Sequence, residues 1–434
     1  MPDRTARTPA TLPGWLQYIE EQHPQKIELG LDRVKSVAAR LGVHKPAPVS
    51  IIIAGTNGKG STTTFAEAVL LGAGLSVGAT LSPHLHVFNE RIRVNGRCCG
   101  DAELVAAFER VEAARNGVPL TYFEFAALAA LQVFRSAAVD VAVLEVGLGG
   151  RLDAFNIVDA EVAVVTSIGL DHQSFLGDDL ETIGREKAGV FRVGQKVVLG
   201  GDVTESVRAQ ARALGCAVVE PERGYRVEGE ADGSWRFAGL GLDLPALPAG
   251  GLAPENCAMG LCAARLALEA GDGADREYRR ITDDLVRAAV TRAKLPGRLE
   301  TVAWRDRRVL LDVAHNPAGA QFLSAQLRAR GYGPVIGIIG SLGDKDTEGV
   351  ARNLAANVRR WVCVGVDDDR GLPAAEVAER VAGVSPCETA PDAESALDQA
   401  RSLTGPGDVI LVCGSFSIVG QVRAFLNEMK VDHG

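Results

Sequence analysis

Ile51-Ile52-Ile53-Ala54-Gly55-Thr56-Asn57-Gly58-Lys59-Gly60-Ser61 is a buried-type apolar run that enters a glycine-rich turn, and Thr62 to Leu71 behind it reads as a helix. Strand, glycine turn and helix in that order are the context a phosphate loop requires. Glycines let backbone N–H groups curl around phosphate oxygens, and the helix N-terminus adds positive potential. Lys59 offers a point charge, and Ser61 or Thr62 a hydroxyl. The spacing is not that of a Walker A loop, because Gly55 and Gly58-Lys59 stand too close and Gly60 separates the lysine from Ser61. The competing reading is a glycine turn that merely joins strand to helix.

The same alternation continues outward. Val49 to Ala54, Val139 to Val146 and Val162 to Ile168 are short β-branched runs, and Leu180 to Ala188 is an amphipathic one. This pattern predicts an α/β fold with a mainly parallel sheet, whose ligands gather at the strand C-termini. A second set follows Leu295-Pro296-Gly297-Arg298: Val309 to Val313, Ala318 to Ala329, Val335 to Gly340, Trp361 to Val366, and Val409 to Cys413 before a last helix. A chain of 434 residues exceeds what one core usually fills. The expectation is a large N-terminal P-loop domain, residues 1–295, and a smaller C-terminal Rossmann-like α/β domain, 296–434. Between them, Tyr225 to Leu244 reads as a β excursion and Pro254 to Ala270 as a helix.

Composition narrows the function classes. With 47% hydrophobic and 23% charged residues the chain suits a compact enzyme, and a formal charge of -9 excludes a general affinity for nucleic acid or anionic membrane. Met1 to Gly14 lacks the apolar core of a signal peptide, and no later run is long enough to span a bilayer. Eight cysteines form no C-x-x-C pair, and Cys257 and Cys262 fall on different faces of a helix pattern. A reduced, cytoplasmic setting is expected.

Several residues should emerge where such a sheet binds ligands. Glu145 follows an apolar strand, and its carboxylate suits a hard cation such as magnesium. Ser82 before Pro83 and His172 after Asp171 lie just beyond strand-like runs; singly, each also reads as an ordinary turn residue. Lys187, by itself, reads as a solvated lysine on a charged helix. Asp312 and His315 follow a strand of the second set, with Asn316-Pro317 starting a helix.

Gly55 to Ser61 resembles the phosphate loop of the Mur ligase superfamily. Ser82-Pro83-His84-Leu85, Leu120-Thr121-Tyr122-Phe123-Glu124, Glu145 to Ala154, Arg185-Glu186-Lys187-Ala188-Gly189, Leu295-Pro296-Gly297-Arg298 and Asp312-Val313-Ala314-His315-Asn316-Pro317 are similar, in order, to folylpolyglutamate synthases. The resemblance implies an ATP-dependent ligase that joins L-glutamate to a pterin-linked carboxylate through an acyl phosphate. By the same resemblance, Thr56, Asn57, Gly58, Lys59, Gly60, Ser61, Asn256, Arg298 and Asp312 contact ATP, while Ser82, Glu145 and His172 hold magnesium. Lys187 becomes a carbamate that coordinates a second magnesium, and there is room for a monovalent cation. Gly30, Leu31, Asp32, Arg33, Thr121, Tyr122, Phe123, Asp153 and Ala154 line a pterin pocket, and His315 and Ser415 place the glutamate. Lys59, Lys187 and His315 form the implied catalytic set. Asp344-Lys345-Asp346 matches a family motif without an assigned role.

Gly30 to Arg33, Phe123 and Asp153-Ala154 favour the bifunctional members, which take dihydropteroate as well as reduced folates. Phe155 and Val87 depart from the family pattern. A monofunctional folylpolyglutamate synthase, a cell-wall Mur ligase and a P-loop nucleotide switch are the rival readings. The expected partners are small molecules, with no nucleic acid or membrane, and a monomer.

Overall fold

The computed structural model describes residues 9–25, 27–230, 233–271 and 280–431; residues 1–8 of the N-terminal stretch lie outside them. Strand Val49–Ala54, buried at all six positions, lies between Val141–Glu145 and Val162–Val165 and runs parallel to both. Beyond these, Val77–Thr80 continues the sheet on one side, and Lys196–Leu199 and Ala217–Val219 on the other, all parallel. A short antiparallel pair, Ile92–Val94 and Arg97–Cys98, closes one edge and completes eight strands.

The central strands read as unbroken apolar runs because both faces of the sheet are covered. Ile52, Ala54, Ala142 and Leu144 enter a core with Phe108, Phe125 and Phe134. Ile51, Ile53, Val141 and Val143 point the opposite way, onto Phe65, Val69 and the helix Pro254–Ala270. That second core also takes Tyr225, Trp235 and Phe237 from a three-stranded antiparallel sheet, Tyr225–Gly229, Trp235–Gly239 and Leu242–Leu247. The glycine-rich excursion is thus a cover for one face of the main sheet. Cys257 and Cys262 are buried in that core, and all eight cysteines are unpaired.

After helix Asp283–Arg292 the chain turns at Leu295 to Arg298 and starts a six-stranded sheet with Glu300–Trp304. The order continues through Arg307–Leu311, Val409–Cys413, Val335–Ile339, Val358–Val364 and Cys387–Ala390, with only the first pairing antiparallel. This sheet too is packed on both faces, by Leu310, Leu411 and Trp361 on one and Val309, Ile410 and Val362 on the other. The architecture is therefore α/β, a large mainly parallel sheet followed by a smaller α/β unit. Among the described residues no helix is long and apolar enough to cross a membrane.

Helix caps set where the functional loops begin. Thr121 Oγ1 accepts the Glu124 N–H at 3.3 Å, and Glu124 Oε2 accepts the Thr121 N–H at 2.8 Å, a reciprocal cap that fixes the start of helix Tyr122–Ser136. Asn316 Oδ1 accepts the Gly319 N–H at 2.7 Å, and Pro317 occupies the first turn of helix Pro317–Ala329. Each cap contributes about 1 kcal/mol.

Candidate active site

The C-terminal ends of both parallel sheets open into one cavity of about 620 Å³, a volume ordinary for a ligand site. Gly55 must be glycine, since a Cβ there would lie 1.9 Å from Thr166 Oγ1. Gly58 has φ +87°, and a Cβ would meet Asn256 Oδ1 at 2.5 Å. Those two positions let the loop hug its neighbours and open helix Lys59–Gly72 toward the cavity. Thr166 Oγ1 donates to the Asn57 carbonyl at 2.6 Å, and Thr56 Oγ1 donates to the Gly169 carbonyl at 3.1 Å, so the loop is tied to the strand beside it.

Lys59 folds over this turn, donating from Nζ to the Gly55 and Thr56 carbonyls at 2.9 and 3.1 Å. Burial holds its pKa below the usual lysine range, an effect the charge of Glu145 opposes. Glu145, only 4% exposed, ends its strand and accepts the Ser82 N–H at 2.9 Å. Burial pushes its carboxyl up to about 7, with Lys59 the largest opposing influence. A carboxylate desolvated to this degree is stabilised by any cation that enters.

Lys187 corrects the isolated reading of a solvated lysine. Helix Leu180–Ala188, started by an Asp179 side chain that accepts the Thr182 N–H at 2.9 Å, buries Ile183, Gly184, Lys187 and Ala188 as one face. Lys187 is 5% exposed and donates to the Gly55 carbonyl at 3.1 Å, the same oxygen that Lys59 uses. No carboxylate pairs with it among the described residues, and burial, then the charge of Lys59, brings its pKa down to about 7.

His172 takes a left-handed turn, φ 51°, at the mouth of the loop after Val162–Val165. Burial lowers its pKa to about 4, leaving a neutral ring that can coordinate. Ser82, Glu145, His172 and Lys187 all line the cavity that the phosphate loop enters. Among the described residues no cluster of three or more His, Cys, Asp or Glu could cage a metal by itself. That sparse donor set, one hydroxyl, one carboxylate and one imidazole beside a phosphate loop, fits magnesium, which keeps waters and draws on substrate phosphates.

Across the cavity, Asp312 accepts the Leu299 and Ala314 N–H groups at 3.0 and 2.9 Å, and burial raises its pKa. Arg298 lies 5.1 Å over the Phe416 ring. His315 Nδ1 sits 2.9 Å from the Val313 carbonyl. Ser415 Oγ accepts the Ile418 N–H at 3.2 Å. Asn256, Arg298, Asp312, His315 and Ser415 all reach the same cavity.

The expected pterin set divides in two. Gly30, Thr121, Phe123, Asp153 and Ala154 line the cavity, whereas Leu31, Asp32, Arg33 and Tyr122 do not. Asp32 is exposed on the first turn of helix Asp32–Leu41. Arg33 is turned away by its own ion pairs: Nη2 donates to Glu124 Oε1 at 3.0 Å, and Nη1 pairs with Glu28. A helix starting at residue 32 can aim only part of its first turn at a cleft. Phe155 is buried edge-on against Phe123, ring centroids 5.8 Å apart, and shapes the wall from behind; Val87 is exposed and outside the cavity.

Three side chains in the cavity wall lie outside the expected site set. Arg91 donates from Nε to His84 Nδ1 at 2.7 Å and lies 5.6 Å over the Tyr122 ring, with no acidic side chain paired to it among the described residues. Asp171 and Lys345 form an ion pair at 2.6 Å that joins loops 174 positions apart. The Asp344-Lys345-Asp346 match was the sole hint of the latter.

Comparison with known proteins agrees with this geometry. The Mur ligase middle domain matches residues 53–220, and the glutamate ligase domain of Mur ligases matches residues 297–416. The dihydrofolate synthase/folylpolyglutamate synthase of Escherichia coli (strain K12) is 40% identical over 432 residues, covering 98% of both chains. The chain belongs to the dihydrofolate synthase/folylpolyglutamate synthase family. The Haemophilus influenzae member of that family is 36% identical, over 94% of this chain and 96% of that one. Among solved structures, E. coli FolC in complex with DHPP and ADP superposes with a TM-score of 0.90 at 38% identity, covering 98% of this chain and all of that one. The Yersinia pestis CO92 bifunctional enzyme complexed with AMPPNP and Mn ion gives 0.88 at 40% identity, over 98% and 100%. Family membership accounts for a phosphate loop that departs from Walker A spacing, and for two α/β units meeting at one cleft.

Proposed function

We propose that this chain is a bifunctional dihydrofolate synthase/folylpolyglutamate synthase, an ATP-dependent, magnesium-requiring ligase that adds L-glutamate to dihydropteroate and to the γ-carboxylate of reduced folates. The observation that carries the reading is a single cavity in which Lys59, Glu145 and Lys187 from one sheet face Asp312, His315 and Ser415 from the other. A relative at 40% identity across nearly its whole length, named for both activities, supports it.

In this reading residues 1–295 serve pterin and most of the nucleotide, and residues 296–434 bring the glutamate and complete the ATP site. Thr56 to Ser61, Asn256, Arg298 and Asp312 hold ATP. Ser82, Glu145 and His172 hold magnesium, and Lys187 as a carbamate holds a second ion. Magnesium when bound supplies charge neutralisation on the transferring phosphoryl group. Lys59 and the loop N–H groups stabilise the charge that develops as the γ-phosphoryl passes to the acceptor carboxylate. His315 and Ser415 orient the glutamate so that its amine displaces phosphate from the acyl phosphate, and the closed cleft keeps water from that intermediate. The reading includes a cytoplasmic monomer acting on small molecules only.

Phosphate release from ATP should depend on both a pterin carboxylate and L-glutamate. A coupled phosphate assay with each substrate omitted in turn measures this. Turnover with UDP-linked muramyl substrates but with neither dihydropteroate nor tetrahydrofolate would overthrow the reading in favour of a cell-wall ligase.

Arg91 suits the acceptor carboxylate, being a part-buried guanidinium in the cavity wall with no carboxylate paired to it among the described residues. Arg91→Ala should raise the KM for dihydropteroate roughly tenfold to a hundredfold, the loss of one charge-assisted hydrogen bond. The KM for ATP should move far less. Arg91→Lys should recover little, because a point charge does not replace a planar fork. Matching rises in both KM values would instead mark Arg91 as a structural residue.

A further inference from the structure

Asp171 lies on the loop after Val162–Val165 and reaches the cavity wall, yet its oxygens are already taken. Oδ2 accepts from His315 Nε2 at 3.2 Å and from Asn316 Nδ2 at 3.0 Å, and Oδ1 accepts from Lys345 Nζ at 2.6 Å. The His172 N–H fills the remaining position at 2.9 Å. All three side-chain donors come from the six-stranded sheet: His315 and Asn316 from the loop after Arg307–Leu311, Lys345 from the loop after Val335–Ile339. The Asp171 and Lys345 side chains are only 10% and 8% exposed. Asn316 also exchanges amide hydrogen bonds with Asn57 of the phosphate loop, at 3.1 and 3.2 Å.

Two α/β units with separate cores ordinarily meet through polar contacts and move relative to each other. One carboxylate that takes three donors from the opposite unit selects a single closed arrangement, because opening breaks all three bonds together. It also fixes the poses of His315 and Lys345, the second a long side chain with free rotors that would otherwise sample the cleft.

We propose that Asp171 is a positioning residue: it latches the six-stranded sheet onto the phosphate-loop sheet and, by orienting His315 and Lys345, sets the affinity for the amine-bearing substrate. This rests on the ligase reading above. Asp171 contacts neither phosphate nor pterin in this scheme, so its loss should weigh most on glutamate, while ATP loses only the Arg298 and Asp312 contacts from the opposite unit and keeps the phosphate loop.

Asp171→Asn keeps the shape and removes the charge. Steady-state kinetics should show the KM for glutamate raised roughly tenfold or more, with the KM for ATP raised several-fold less because the phosphate loop stays in place. Asp171→Glu should restore part of the loss. Small-angle scattering of the nucleotide-bound protein should report a larger radius of gyration for Asp171→Asn than for wild type. An unchanged KM for glutamate, or equal rises in both KM values, would overturn the latch. Should Asp171→Asn fail to fold, Lys345→Met removes the partner instead and must reproduce the same split and the same expansion. Wild-type protein with no glutamate-dependent turnover would sink the ligase reading itself, and the scattering comparison would still decide the latch.

Discussion

Glu145→Ala should reduce turnover by roughly a thousandfold or more, about 4 kcal/mol in the barrier, while circular dichroism stays as in wild type. The carboxylate is buried, ends a central strand, and has a single backbone donor, the Ser82 N–H. Because burial holds its pKa near 7, ionisation of Glu145 is a burden in the empty site and a gain once a divalent cation enters. The same variant should therefore need far more magnesium for whatever activity is left. Lys59→Ala should be comparably inactive, since it removes the cation that faces the transferring phosphoryl group. Rates near wild type in either variant, measured by phosphate release at saturating ATP, would refute the proposed centre.

Lys187→Ala should likewise be nearly inactive, because the proposed carbamate would be lost. An amine adds to CO₂ only as the free base, and an ordinary lysine is almost wholly protonated at neutral pH. Burial and the neighbouring Lys59 bring Lys187 to about 7, so a large fraction of the amine is free where the enzyme works. Carbamylation would then replace a cation that pairs with no carboxylate among the described residues by an anion suited to magnesium. Protein stripped of CO₂ should lose activity and regain it with bicarbonate. At fixed dissolved CO₂, recovery should quicken as the pH rises through about 7 and level off above it, whereas an unperturbed lysine would keep quickening toward 10. Acetate in excess should restore some activity to Lys187→Ala by filling the space with a carboxylate. Full activity of Lys187→Ala, or recovery that ignores bicarbonate, would return the residue to a plain structural role.

The sequence by itself determined the α/β alternation and the order of the elements that carry the phosphate loop and the second sheet. Strand Val49–Ala54 and helix Leu180–Ala188 were legible to the residue, because β-branched runs and amphipathic periodicity are local properties. The glycine turn announced the phosphate loop for the same reason: its conformational demand is written in adjacent residues. Glu145 follows an apolar run, which by itself places it at a strand end where such sheets bind ligands. Tertiary structure decided what such positions face. Leu31, Asp32, Arg33 and Tyr122 stand beside Gly30 and Phe123 in the chain yet outside the cavity; for Arg33 the reason is that Glu124 and Glu28 claim its guanidinium. Lys187 looked solvated because a charged helix turn does not register the glycine-rich loop it packs against, and its depressed pKa is a property of that burial. Asp171 and Lys345 lie 174 positions apart, and no local pattern could pair them. Burial and long-range charge depend on what the fold brings together, which is why the loops could be read from the chain and their electrostatics could not.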